Sequence, residues 1–186
     1  MAYARRLPRV ALWALAAILV LYVGLLCMRT LWPIDFAEAV RSAAAEEDLE
    51  ADLVFALIYA ESRFDPEAVS PRGAIGLMQI SPSTGRWIAE QLNLPEPARE
   101  DLYDIERNLR FGTWYLRRLL DRFGDVETAL EAYNAGPTTV EEWLDDGETP
   151  YRETIEYVRR IQGARPVYRV YMRIPALLRI VPPVSL

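Results

Sequence analysis

The chain has 186 residues, 52% apolar and 26% charged, with a net charge of −6. It has no histidine and one cysteine, Cys27, which excludes Ser-His-Asp and Cys-His nucleophile schemes, His-ligated zinc, disulfide frameworks and thiolate metal cages. Its basic residues are all arginine, which stays protonated, so proton transfer falls to carboxylates and tyrosines; the acidic balance does not suit phosphate neutralisation, and no nucleic-acid partner is expected.

In chain order, the first feature is Val10 to Met28, VALWALAAILVLYVGLLCM, which carries no charge and has no polar face. As a helix it is long enough to cross a bilayer core of about 30 Å. Arg5, Arg6 and Arg9 precede it, so the positive-inside bias predicts a cytoplasmic segment 1–9, a transmembrane signal-anchor 10–28 and a remainder on the outer side. A cleaved signal peptide is the alternative. The apolar run exceeds the usual h-region, and the nearest small-x-small site, Ala37-Glu38-Ala39, lies well beyond it. Gly24-Leu25-Leu26-Cys27 resembles a lipoprotein box, but bulky Leu26 stands where a small residue belongs. The uncleaved anchor is the favoured reading, with Cys27 as a small apolar residue in the membrane.

Residues 29–35 read as a linker. Asp35 is an expected N-cap for a helix from Phe36 to Glu47. A second helix is expected from Glu50 to Glu61. Leu53, Val54, Leu57, Ile58 and Glu61 fall at i, i+3, i+4 and i+7, which places the Glu61 carboxyl near the buried face. Asp65-Pro66 and Ser70-Pro71-Arg72-Gly73 are turn signals. Ser81-Pro82 opens a helix to Gln91. Asn93 to Asp101 reads as a loop and Asp104 to Phe123 as a long helix that Gly124-Asp125 ends. Helices over Val126–Tyr133 and Thr138–Leu144 follow, separated by the stop sequence Asn134-Ala135-Gly136-Pro137. Glu153 to Met172 is expected to be helical, with strain near Gly163 and Pro166. The arginines clustered over 159–179 read as a solvated helix face. No alternating strand pattern and no internal repeat appears. The class is all-α: one multi-helix domain over 36–172 behind an N-terminal transmembrane helix. The tail 173–186 is apolar and is expected to pack on the domain or lie on the membrane.

Glu61 leaves an apolar helix into a Gly-rich loop, a setting that raises a carboxyl pKa and makes a general acid near neutral pH. Gln79 offers an amide donor and acceptor, and Tyr133 an apolar ring with a hydroxyl. Gly73 and Gly76 are expected to permit turns. Trp87, Trp114 and Trp143 are able to stack on sugars, with buried core as the default for each.

Four blocks in order resemble the lytic transglycosylases of the soluble type, whose catalytic domain is like goose-type lysozyme. They are Glu61-Ser62-Arg63-Phe64, Gly76-Leu77-Met78-Gln79-Ile80, Ala132-Tyr133-Asn134-Ala135-Gly136, and Tyr151-Arg152-Glu153-Thr154 with Tyr157-Val158. The resemblance covers about residues 36–165. It implies a lysozyme-like domain that cleaves the β-1,4 bond between N-acetylmuramic acid and N-acetylglucosamine, leaving a 1,6-anhydromuramyl end. It implies Glu61 as acid and then base, since no obvious partner carboxylate stands beside it in the motifs; Asp65 reads as a turn residue. It further implies that Ser70 helps hold the muramyl residue, that Met78 lines the cleft, with ordinary core an equal alternative, and that Gln79 and Tyr133 reach the sugar. Asn134 ties the loop together or touches sugar, while Glu153 and Tyr157, one turn apart, form the far wall.

A lysozyme-type hydrolase and a non-catalytic glycan-binding or assembly module remain alternatives. The expected partners are peptidoglycan strands, the membrane, and a cell-wall or secretion complex. No cofactor is expected. The expected location is the inner membrane, single-pass, with the catalytic domain in the periplasm.

Overall fold

The computed structural model describes residues 9–174. The expected cytoplasmic segment before Arg9, with Arg5 and Arg6, lies outside the described residues, as does the apolar tail from Pro175.

Helix α1 spans Arg9–Leu31. Over Val10–Leu31 its mean hydropathy is 2.6, and none of that window is buried in the protein. Among the described residues it is the one helix long and apolar enough to cross a membrane. The expected linker 29–35 is corrected in two respects. Residues 29–31 continue the helix, and the residues after it are packed rather than free. Trp32 lies 4.8 Å from the Tyr59 ring, Ile34 is buried in the core, and the Tyr168 hydroxyl donates to the Pro33 carbonyl at 3.1 Å. Asp35 is not the N-cap of the next helix. Its carboxylate accepts from Arg29 at 3.4 Å, and Phe36, at φ 57°, enters helix α2 (Ala37–Glu46) without a side-chain cap.

Helix α3 spans Ala51–Glu61, and every residue from Asp52 to Ile58 is buried. Burial on all sides is how a helix apolar around its circumference is satisfied. Its chief neighbour is the long α8 (Arg152–Arg173), which runs antiparallel: Tyr157 meets Glu61, and Arg165 and Arg169 meet Asp52. The arginine cluster is thus only partly a solvated face. Arg165 bonds Asp52 at 3.1 Å and also pairs with Glu50, and Arg169 bonds Asp52 at 2.9 Å. These anions sit at the α3 N-terminus, where the helix dipole favours them. Helix α8 continues through Gly163 and Pro166 without a break.

The other helices follow their sequence signals. Ser81 caps α4 (Pro82–Gln91), Asp104 caps α5 (Ile105–Phe123) and Asp125 caps α6 (Val126–Ala135), each accepting from the backbone N–H three residues on. Helix α7 spans Pro137–Asp146. The expected loop 93–101 runs into a short 3-10 turn, Glu100–Tyr103, because Leu102 is buried. Val40, the α3 residues, Leu109, Leu116, Leu130, Ile161 and Tyr168 build the main core; Leu119, Ala129, Ala132, Val140 and Trp143 form a smaller one. Between α3 and α4 the chain makes only isolated antiparallel bridges, Val69 with Ile75 and Ile75 with Ile80. The class is all-α, as expected.

Candidate active site

Glu61 is the last residue of α3. The buried helix carries it to the floor of a cleft of about 610 Å³ that is also lined by Ser70, Gln79, Tyr133, Asn134 and Glu153. The carboxyl opens to the cleft on one side and is enclosed by protein on the others. This burial pushes its pKa up to about 7, against a lowering by the Tyr157 hydrogen bond and by the Arg160 charge. The Tyr157 hydroxyl donates to Glu61 Oε1 at 2.6 Å. Burial first, then the Glu61 charge, raise the Tyr157 and Tyr133 hydroxyls well above the ordinary tyrosine range, so both are held as donors.

The chain after Glu61 turns sharply. Arg63 and Phe64 take φ 54° and 69°, and Gln79 takes φ 50°. Left-handed geometry at such residues costs on the order of 1–3 kcal/mol each and is held only where the surroundings enforce it. The enforcers are visible. The Ser62 hydroxyl donates to the Leu77 carbonyl at 2.9 Å and accepts from the Phe64 N–H at 3.2 Å. The Gln79 amide nitrogen donates to the Ala68 and Gly76 carbonyls at 3.1 and 2.8 Å. Two carbonyl partners fix the amide orientation. Gln79 therefore keeps only its side-chain oxygen for a substrate, not the donor and acceptor expected from sequence.

Beneath this loop lies Asn108, buried in α5. Its amide donates to the Ile75 and Leu102 carbonyls, each at 2.8 Å, and its oxygen accepts from the Met78 N–H at 2.8 Å. Gly76, at φ 79°, has no room for a Cβ, which would lie 2.8 Å from the Leu102 carbonyl and closer still to Asn108. Met78 is fully buried, and its side chain packs over Gly112, where a Cβ would come within 2.6 Å of Met78 Cβ. Of the two readings of Met78, cleft lining and core, its side chain takes the second. Met78 faces the site only through its carbonyl, which accepts from the Tyr133 hydroxyl at 2.8 Å.

Ser70 lines the cleft, with its hydroxyl oxygen accepting from the Ala74 N–H at 3.0 Å and its proton available to a ligand. Asn134 accepts from Thr154 at 3.0 Å, which ties the α6 end to α8. Glu153 is exposed on the far wall. Tyr157 is buried behind the cleft and meets it through Glu61. Asp65 makes a turn, accepting from Glu67 N–H at 2.9 Å. Asn108 and Gly112 escaped the sequence reading, and Ser62 and Thr154 stood in the motif blocks without an assigned role. Asn108 carried a signal of its own, an amide amid apolar helix positions. Among the described residues no three His, Cys, Asp or Glu side chains gather as metal ligands.

The transglycosylase SLT domain model matches residues 38–155. The chain is similar to the soluble lytic murein transglycosylase of Escherichia coli (strain K12), with 29% identity over 154 residues, 76% of this chain and 24% of that protein. It is 35% identical over 148 residues to membrane-bound lytic murein transglycosylase C of Actinobacillus pleuropneumoniae serotype 5b, covering 73% of this chain and 39% of that one. Among solved structures, the 70 kDa soluble lytic transglycosylase of Escherichia coli superposes with a TM-score of 0.72 at 28% identity, over 78% of this chain and 26% of that one. An inactive glutamate-to-glutamine mutant of Slt from Pseudomonas aeruginosa superposes at 0.71 with 28% identity, over 76% and 25%. The chain spans about a quarter of the length of the soluble relatives.

Proposed function

Because the chain belongs to the transglycosylase SLT domain family, we propose that it is a membrane-anchored peptidoglycan lytic transglycosylase with Glu61 as its single acid and base. The observation that carries this is the Glu61 carboxyl, at the floor of the cleft, with a pKa of about 7 and a Tyr157 hydroxyl on one oxygen. A protonated Glu61 delivers its proton to the glycosidic oxygen as the C1–O bond breaks. The resulting carboxylate, kept in place by Tyr157, takes the proton of the muramyl C6 hydroxyl. That oxygen closes on C1, and the 1,6-anhydro ring forms without water. Ser70, the Gln79 oxygen and Asn134 hold the sugars, with Tyr133 and Glu153 as further walls of the cleft.

We read the protein as a single-pass protein of the inner membrane held by helix α1, with the catalytic domain on the periplasmic side. Its apolar exposed surface and the membrane-bound relatives support this location. A neighbouring cell-wall or secretion complex suits a tethered enzyme.

One observation favours a second reading. Glu153 lines the same cleft as Glu61, and two carboxylates are what a lysozyme-type hydrolase uses. Mass analysis of muropeptides from digested sacculi separates the two. Anhydromuropeptides from the wild type and none from Glu61→Gln support the lytic reaction. Hydrated reducing ends, lost also in Glu153→Gln, would establish the hydrolase instead. Wall binding without any turnover would leave a non-catalytic module.

A further inference from the structure

A second cavity adjoins one side of the cleft. It has a volume of about 420 Å³, shares Thr84 and Tyr115 with the cleft and is also lined by Ser83, Trp87, Arg118 and Arg122. The aromatic rings run through both. Tyr133 lies 5.4 Å from Tyr115, and Tyr115 lies 6.0 Å from Trp87. Trp114, the default core tryptophan, is buried beneath, in edge contact with Trp87 at 5.5 Å. Trp87 is different: it is 43% exposed, yet its ring is set by two edge contacts, at 60° to Trp114 and 80° to Tyr115.

A single exposed tryptophan needs no explanation on its own. Here it is pre-positioned in the lining of a cavity that adjoins the cleft, and the proposed occupant of that cleft is a linear polymer. A pyranose ring has an apolar C–H face and a polar rim. Trp87 supplies an apolar face, and the Ser83 and Thr84 hydroxyls supply polar groups around it. The Arg118 guanidinium, 5.1 Å over the Trp114 ring, adds donors. Arg122 is already held by Glu141 at 2.9 Å and contributes little net charge.

We propose that this cavity is a distal sugar subsite in which Trp87 stacks on a ring of the same glycan strand that Glu61 cleaves, beyond the sugars that fill the cleft. The inference rests on the glycan reading of the cleft. The subsite makes the protein a reader of strand length: strands that reach Trp87 bind tighter than strands that fill the cleft alone.

The test uses the full chain in detergent carrying Glu61→Gln, with β-1,4-linked N-acetylglucosamine oligomers from disaccharide to octasaccharide and stem-free glycan strands as probes. Affinity should rise with length, and the indole N–H resonance assigned by its loss in Trp87→Phe should shift only with the longer oligomers. Trp87→Ala should lower affinity for long strands about ten-fold, with Trp87→Tyr restoring most of it. Thermal unfolding of each variant establishes that it is folded, and the resonance shift is read on the unsubstituted Trp87. Length-dependent binding that Trp87→Ala leaves unchanged, with an unmoved indole resonance, would overturn the subsite alone. No binding of any glycan would overturn the subsite and the glycan reading together.

Discussion

Tyr157 donates to Glu61 across 2.6 Å, and this bond works against the burial around it. Burial favours the neutral acid that the proposed reaction needs to protonate the leaving oxygen. The tyrosine favours the carboxylate that the same proposal needs a moment later. The balance leaves the pKa at about 7, so activity that needs the acid form should fall as pH rises through 7. In Tyr157→Phe the lowering contribution is gone, and the alkaline limb should move to higher pH. A hydrogen bond to a charged group contributes about 1.5–3 kcal/mol, so kcat should also fall about 10- to 100-fold. A pH–rate profile of the full chain on solubilised glycan checks both. An unmoved limb would mean that this bond is absent during turnover.

The same carboxyl has a cost in stability. Its folded pKa of about 7 exceeds the ordinary value of 4.5, so the native state binds more protons than the unfolded state between those values. Stability then falls as pH rises through that window, and below it the cost is absent. Glu61→Gln should therefore raise stability by about 1–3 kcal/mol at pH 8, discounted for the side open to the cleft, and change it little near pH 4. Thermal melts of wild type and variant across pH measure this, and equal gains at both ends would contradict it.

Asn108 is expected to matter more than most cleft residues. Asn108→Ala leaves the Met78 N–H and the Ile75 and Leu102 carbonyls without their partner. Each orphaned buried group costs about 1–3 kcal/mol, so a loss of about 3 kcal/mol or more is expected in urea unfolding. Activity should fall at temperatures where the variant remains folded, because Gln79 and the Met78 carbonyl move with that loop.

Gly112 and Met78 should behave as one unit. Gly112→Ala drives a methyl into the Met78 side chain and should cost about 1–3 kcal/mol by overpacking. Met78→Ala alone opens a cavity and costs about 2–5 kcal/mol. Together they should cost less than the sum, by about 0.5–1 kcal/mol of coupling, because Met78→Ala removes the Sδ and Cε that the new methyl meets while its own Cβ stays 2.6 Å away. Strict additivity in denaturation would place Met78 elsewhere than over Gly112.

The sequence carried the elements with local punctuation. Ser81-Pro82, Asp104, Asp125, Gly124 and Gly136 mark their boundaries within a residue or two, because capping is a local interaction. Glu61 was legible for the same kind of reason, through its register on an apolar helix. Roles that depend on distant segments were not. Met78 and Gln79 sit in a block that reads as binding surface, yet α5 lies beneath Met78 and the loop carbonyls take up the Gln79 amide. Asp35 looked like a cap until Arg29 claimed it. Trp87 and Trp114 are equivalent in the sequence, and only the packing of α4 on α5 leaves one of them outside.

The packed stretch from Arg29 to Ile34 has a consequence for geometry in the cell. A domain on a slack leash samples every height that its leash permits. Here the last turn of α1 and the Trp32–Tyr59–Tyr168 contacts weld the stalk to the core. With α1 in a bilayer, the altitude and tilt of the cleft become fixed properties of the molecule. Such an enzyme would trim the layer of wall at its own elevation, and lengthening the stalk would change which layer is cut without altering any residue of the cleft.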